Sequence, residues 1–288
     1  MNTSFYQVDV FSSELFGGNP LAVFLRGEDF KENQLQLVAR EMNLSETTFI
    51  FPSSNSDADF DVRIFTPEKE ILFAGHPTLG TAFVLRHANR IPSKQNQIRM
   101  NFKSGLISVN LEADGKFFMI QPSGKILETI PDTEGVMETL GLTANDIDLS
   151  LPVQIVSTGF PALLVPINSL RSIQRIALNL SLLKGLLEEI NVDMIYPFTR
   201  ETCEEKNSIH ARGFAPFIGI NEDPATGSVA GALGYYLHKK NSAEREWIIE
   251  QGYEMKRPGN IFVEIGESTE IRVGGNARLV FKGDLLLK

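Results

Sequence analysis

The sequence predicts an α+β protein built from two similar halves, each with a central helix wrapped by a rolled, mostly antiparallel sheet. Three observations support this fold class. Short β-branched and aromatic stretches of alternating polarity outnumber the stretches with helical spacing. Several motifs recur once, about half a chain apart. Neither the GxGxxG nor the P-loop pattern is present, which argues against a doubly wound parallel fold.

Composition limits the function classes. A chain of 288 residues with 42% hydrophobic residues is long enough for two domains of ordinary size. The formal net charge is −9, and the lysines and arginines form no dense cluster, so we expect no nucleic-acid partner. The N-terminus lacks a signal-peptide pattern and no segment has the length of an apolar membrane span. These features predict a cytoplasmic protein without a membrane partner.

Metal-ligating residues are sparse. Cys203 is the single cysteine, which excludes an intrachain disulfide and any mechanism that needs two thiols. The four histidines lack the spacing of a metal site, so the sequence predicts none.

The internal repeat defines the halves. The stretch GNPLAVFL at 18–25 is echoed by GFPALLVPI at 159–167, and RIFTP at 63–67 by RGFAP at 212–216. The HPTLGTA stretch that starts at His76 likewise matches DPATGSVA, which starts at Asp223. We therefore predict halves at 1–125 and 126–288, with the last strand able to pack back on the first half. The acidic, turn-rich segment 128–150 is the predicted linker.

Within each half the pattern predicts strands, with one helix before and one after the His-Pro or Asp-Pro step. Alternating polarity predicts seven strands in the first half. Apolar residues at near-helical spacing predict helices at 32–43 and 77–88. The predicted strands are 5–11, 21–25, 47–51, 59–66, 97–102, 106–112 and 116–121.

The two proline steps are the first candidate site. Pro77 and Pro224 suit the first turn of a helix, and Asp223 suits an N-cap. Both following helices are almost entirely apolar, so we expect them to be buried, with N-terminal amides available to an anion. His76 is either a residue of this site or a hydrogen-bonded histidine in a loop. Glu46, at a helix–strand junction, is a candidate general acid/base or a solvated glutamate.

Five motifs resemble the PhzF family of phenazine-biosynthesis-like isomerases: VDVFSSELFGGNPLAVF, LSETTF, RIFTPEKEILFAGHPTLGTAFVL, GINEDPATGSVAGALGYYL and EQGYEMKRPGNIFVEI. They run in the family order over nearly the whole chain. The family is similar in fold to diaminopimelate epimerase, with the active site between the halves. The resemblance implies a homodimer in which Glu46 is the acid/base and His76 and Asp223 line the same pocket. It also implies substrate contacts at Ser45, Gly75, Gly227 and Ser228.

The resulting hypothesis is a cofactor-independent isomerase that shifts a proton, and with it a double bond, on a small carboxylate-bearing substrate. Trans-2,3-dihydro-3-hydroxyanthranilate is the reference substrate of the family the chain resembles, and we favour a substrate outside phenazine synthesis. One alternative is a racemase or epimerase of an amino-acid-like substrate that uses Glu46 and either Asp223 or His76 as opposed bases. Another is a non-catalytic binding protein that retains the cleft.

Overall fold

The computed structural model of the protein describes residues 2–72 and 74–287. The chain divides into two units. Unit 1 consists of Met1–Ile120 and Gly274–Lys288, and unit 2 of Gln121–Val273. The C-terminal residues therefore group with the N-terminal unit, through the last strand of the chain.

The described residues of unit 1 form two α-helices and nine strands. The helices are α1 (Glu32–Met42) and α2 (Gly75–His87). The strands are β1 (Asn2–Val10), β2 (Asn19–Phe24), β3 (Glu46–Pro52), β4 (Phe60–Phe65), β5 (Glu70–Ile71), β6 (Gln97–Phe102), β7 (Gly105–Leu111), β8 (Phe117–Gln121) and, at the end of the chain, β19 (Ala277–Leu286).

The seven strands predicted for the first half are confirmed as β1 to β4 and β6 to β8, and both predicted helices form. The two-residue strand β5 was not predicted, because it is too short to show alternation. Strand β1 pairs antiparallel with both β2 and β19. Its position between them ties the C-terminal strand to unit 1.

Unit 2 holds four helices and the remaining strands. The helices are α3 (Thr133–Thr139), α4 (Leu170–Gln174), α5 (Leu180–Glu189) and α6 (Gly227–Lys240). The strands are β9 (Lys125–Thr129), β10 (Gln154–Ser157), β11 (Pro161–Pro166), β12 (Ile195–Thr199), β13 (Ile209–Ala211), β14 (Gly213–Ala215), β15 (Ile220–Asp223), β16 (Glu246–Gln251), β17 (Gly259–Ile265) and β18 (Ile271–Gly275).

The two units repeat one pairing pattern, which confirms the predicted α+β class with two similar halves. In unit 1, β2 is antiparallel to β1 and parallel to β3, β3 is antiparallel to β4, β4 is parallel to β6, and β6 is antiparallel to β7. In unit 2, the same sequence of pairings joins β10, β11, β12, β13, β16 and β17. Helices α2 and α6 occupy equivalent places in the two patterns, and most of their residues are buried.

Two expectations about the second half are wrong. Segment 128–150 is not a linker, because it contains α3, whose Val136 and Met137 belong to the hydrophobic core of unit 2. Three helices, rather than one, precede α6. Leu183 and Leu187 of α5 join α3 in that core, so the additional helices cover apolar surface of unit 2.

Aromatic packing anchors α1 in unit 1. Phe24 and Phe49 stack at 5.1 Å between centroids, and Leu35 of α1 belongs to the same buried cluster. This packing holds α1 against the sheet.

Across residues 2–72 and 74–287, no helix combines the length and the apolar character that a bilayer crossing requires.

Candidate functional site

Glu46 is the first residue of β3, and its placement follows from how α1 ends. Asn43 closes α1 in the left-handed conformation, with φ of 51°, and its amide donates to the carbonyl of Ala39. Three residues later the chain enters β3, which runs parallel to β2 with Glu46 opposite Leu21. The Glu46 residue is 6% exposed. The solvated glutamate considered from sequence is therefore excluded.

His76 is the second residue of α2 and is also buried, so it is not a loop histidine. Its Nε2 lies 3.2 Å from Oε2 of Glu46. The two atoms are in contact without the alignment of a hydrogen bond. Burial lowers the pKa of His76 to about 3, so the imidazole is neutral at neutral pH. A neutral imidazole keeps one N–H donor and one acceptor nitrogen, so it can serve the carboxyl group as a hydrogen-bond partner when the two side chains align.

Close packing holds this pair together. The hydroxyl groups of Thr48 on β3 and Thr81 on α2 share a buried hydrogen bond of 2.9 Å. At Gly80, one turn after His76, an added Cβ would lie 2.6 Å from the Leu21 side chain, so α2 approaches the sheet more closely than a larger residue allows. The hydroxyl pair joins the second turn of α2 to β3, and the contact at Gly80 packs the same turn against Leu21 of β2.

Among the described residues, the N-cap residues of α2 and α6 accept no capping hydrogen bond through their side chains. These N-caps are Ala74 and Thr226. Gly75 and His76 open α2, and Gly227 and Ser228 open α6, as expected for helix ends that present backbone N–H groups. Ser45 is half-buried beside Glu46.

Asp223 lies in unit 2, at the end of β15, and is buried. It is not the N-cap that the sequence predicted: Thr226 caps α6, and Pro224 precedes the helix. The helix begins only at Gly227, so Asp223 lies three residues before its N-cap. It stays extended, as a residue before proline does, and pairs with Gly213. Its Oδ2 instead accepts a hydrogen bond of 2.6 Å from the Thr226 hydroxyl.

The structure thus groups the predicted residues within each unit. Unit 1 brings Glu46 and His76 into contact, with Ser45 and Gly75 adjacent to them in the chain. Unit 2 carries Asp223, Gly227 and Ser228. Sequence reasoning missed the buried side chains around Asp223, namely Thr226, Tyr196 and Gln251. Gln251 gives one signal, since it forms with Glu250 a polar pair directly after the apolar run WII.

A second cluster in unit 2 combines three types of metal-ligating side chain. The ligand atoms of Cys203, His210 and Glu250 all lie within 4.8 Å of one another. Nδ1 of His210 is 2.7 Å from Oε1 of Glu250, which is a hydrogen-bonding distance. Two nitrogen or oxygen ligands of one tetrahedral zinc would be about 3.3 Å apart. Asn207 and the amide of Cys203 also donate to the Glu250 carboxylate. The arrangement is therefore that of a hydrogen-bonded ion cluster.

The same cluster defines the state of the cysteine. Burial, and then the negative charge of Glu250, raise the pKa of the Cys203 thiol to about 11. The thiol is therefore protonated at neutral pH, whereas a thiol base must first ionise.

The protein consists of two α+β units with the same strand order. This architecture belongs to the class of diaminopimelate epimerase-like and proline racemase-like folds. One of the units carries the buried carboxyl–imidazole pair at a helix N-terminus. The family model of phenazine biosynthesis-like proteins, PhzC-PhzF, matches residues 8–283. The chain belongs to this family.

Individual relatives agree with this assignment. A protein named an uncharacterized isomerase, from Clostridium acetobutylicum, is 33% identical over 98% of this chain and 97% of its own length. The crystal structure of a PhzF-family protein from Bacillus anthracis superimposes with a TM-score of 0.91 at 28% identity and covers both chains fully. A hydroxyproline epimerase from Agrobacterium vitis shares the fold, with a TM-score of 0.65, 11% identity and coverage of 99% of this chain and 92% of that one.

Proposed function

We propose that the protein is an isomerase that moves a proton, and thereby a double bond, on a small carboxylate-bearing substrate. The contact between Glu46 and His76 is the observation that carries the proposal. Membership in the PhzC-PhzF family and the isomerase names of relatives support the general class. A double-bond shift is redox-neutral, so acid/base groups suffice and no cofactor is needed.

Glu46 is the proposed acid/base. As a carboxylate it takes a proton from a carbon that is activated by a neighbouring conjugated group, and as a carboxylic acid it returns the proton elsewhere on the same system. His76, in contact with Oε2, remains neutral and serves as a hydrogen-bond partner whose charge does not change with the cycle. Neutrality matters here, because a permanent imidazolium would stabilise the Glu46 carboxylate and weaken it as a base.

The helix ends supply the proposed substrate contacts. Negative charge builds on the conjugated group when the carbon loses its proton, and preorganised backbone N–H groups stabilise such charge. The amides of Gly75 and His76 in unit 1, and of Gly227 and Ser228 in unit 2, are the proposed donors, with Ser45 as a neighbouring contact. Asp223 is the proposed second proton-handling residue. The homodimer and the cytoplasmic location stay predictions.

The test of this function is a screen in deuterated solvent. Purified protein is incubated with small unsaturated carboxylates, including trans-2,3-dihydro-3-hydroxyanthranilate, and followed by proton NMR and ultraviolet absorption. An isomerase relocates a C–H signal and changes the absorption spectrum. Exchange at one stereocentre with an unchanged spectrum would instead identify an epimerase, and ligand binding without exchange would identify a binding protein.

A further inference from the structure

Gln251 makes four buried hydrogen bonds around Asp223. Its Nε2 donates to the Asp223 carbonyl at 2.6 Å and to the Thr226 hydroxyl oxygen at 2.9 Å. Its Oε1 accepts from the Thr226 amide at 3.1 Å and from the Tyr196 hydroxyl at 2.8 Å. We propose that Gln251 is a positioning residue, which fixes the Asp223 carboxylate and the first turn of α6 in one geometry for the reaction proposed above.

The backbone determines the orientation of the Gln251 amide. The Asp223 carbonyl can only accept, so Nε2 must face it, and the Thr226 amide can only donate, so Oε1 must face it. Tyr196 reinforces this orientation. Burial, and then the charge of Asp223, hold the pKa of Tyr196 above its usual value, so the phenol keeps the proton that it donates to Oε1. A flipped amide would lose both bonds to the backbone, to the Asp223 carbonyl and to the Thr226 amide.

The Thr226 hydroxyl group connects the Gln251 amide to the Asp223 carboxylate. Because the Thr226 oxygen accepts from Nε2 of Gln251, its own hydrogen points to Oδ2 of Asp223, at 2.6 Å. The Gln251 amide therefore sets the direction in which Thr226 donates, and through Thr226 it orients the acid.

The residue after Gln251 fixes the main chain at the same place. Gly252 has a φ of 85°, and a Cβ there would lie 2.6 Å from the Pro224 carbonyl oxygen. The end of β16 and the Asp223-Pro224 step therefore approach more closely than any residue other than glycine permits. Gln251 reaches Asp223 across this close contact.

The proposal rests on the proposed function, so the experiment separates the two. It uses the full-length protein and a substrate identified in the deuterium screen. Three variants are compared with the wild type. Gln251→Met keeps the size of the side chain and removes all four bonds, and Gln251→Glu retains an acceptor and, when protonated, one donor. Asp223→Asn tests the acid itself. The control is Gln154→Met, which removes another buried glutamine of unit 2, whose Nε2 donates to the Thr129 hydroxyl.

A positioning role predicts that Gln251→Met lowers kcat by about 10- to 100-fold, because small displacements of catalytic groups carry costs of that size. KM should change little, and Gln154→Met should retain wild-type kcat. The ratio of Gln251→Glu activity to wild-type activity should rise as pH falls from 8 to 5, because the protonated carboxyl group replaces the amide donor. Loss of structure alone would not produce this recovery, since all rates are measured well below the unfolding temperature.

Two results would overturn the inference. If Gln251→Met keeps wild-type kcat while Asp223→Asn loses activity, Gln251 does not position the acid, although the proposed function stands. If Asp223→Asn keeps wild-type kcat while Glu46→Gln loses activity, there is no catalytic acid at Asp223 to position. Failure of the proposed function is distinct from both, because the wild-type protein would then exchange no proton on any substrate.

Discussion

Oε2 of Glu46 and Nε2 of His76 lie 3.2 Å apart, and neither side chain exceeds 8% exposure. The pair joins the first residue of β3 to the first turn of α2. Its electrostatics are those of a carboxyl group beside a neutral imidazole, because burial holds the pKa of His76 at about 3. From this protonation state we predict how the stability of the protein depends on pH.

The first prediction concerns acid stability. The pKa of His76 is lower in the folded protein than the usual value near 6.5, so below pH 6.5 the unfolded chain binds the extra proton. The stabilisation is therefore present above pH 6.5 and is lost as pH falls from there toward 3, by at most about 1.4 kcal/mol per pH unit. Urea unfolding between pH 7 and 5 should show a shallower decline for His76→Asn than for the wild type. Parallel declines would contradict a buried, neutral His76.

The second prediction concerns His210, where the sign is opposite. Burial lowers the pKa of His210, but hydrogen bonds to Glu250 and Glu254 outweigh this effect and hold the pKa above its usual value. The added stability is complete below the unfolded pKa near 6.5 and is lost as pH rises through the folded pKa. The unfolding free energy of the wild type minus that of His210→Asn should therefore decrease between pH 6 and 9. A difference that grows with pH would refute the charged state of His210.

The third prediction separates two buried glutamates. Glu250 accepts hydrogen bonds from Asn207, His210 and the Cys203 amide, and it is fully buried. Glu250→Gln removes the buried ion-pair partner of His210, and it should cost about 3 kcal/mol of unfolding free energy while kcat is retained. Glu46→Gln should show the converse, with lost kcat and a smaller loss of stability. Chemical denaturation and turnover, measured on the same preparations, decide between them.

The fourth prediction concerns Cys203. The thiol is exposed as a residue, yet its pKa is raised to about 11, so little thiolate is present at neutral pH. Alkylation by iodoacetamide should be slow at pH 7 and accelerate about tenfold per pH unit up to pH 10. Cys203→Ser should retain full turnover. Loss of turnover in that variant would point to thiol chemistry and against the carboxyl group of Glu46 as the base.

Much of the fold could be predicted because the repeated motifs contain glycine and proline residues, which are typical of turns. The motifs GNP and GFP lie at the starts of equivalent strands, β2 and β11, and each of these strands pairs in parallel with the next strand of its unit. The buried state of α2 followed from its apolar composition. In segment 128–150 the acidic composition concealed Val136, Met137 and Leu140, whose spacing covers one helix face and places them in the core.

The site was predictable only in part. Glu46 and His76 stood out through their motifs, but their contact depends on the distance between β3 and α2, which the hydroxyl pair of Thr48 and Thr81 helps to set. The sequence could not show that Thr226, rather than Asp223, is the N-cap residue of α6, because both residue types are good N-caps. Gln251 was missed for a related reason: its partners are 25 or more positions away in the chain.

The most direct test of the account is the turnover of Glu46→Gln relative to the wild type, on a substrate that shows proton transfer in deuterated solvent. Glu41→Gln, an exposed glutamate of α1, is the matched control. The account predicts that Glu46→Gln loses about 100-fold or more of kcat, because a general acid/base contributes at least that much, whereas Glu41→Gln keeps wild-type turnover. Near wild-type turnover of Glu46→Gln, in protein that remains folded, would contradict the assignment of Glu46 as the acid/base.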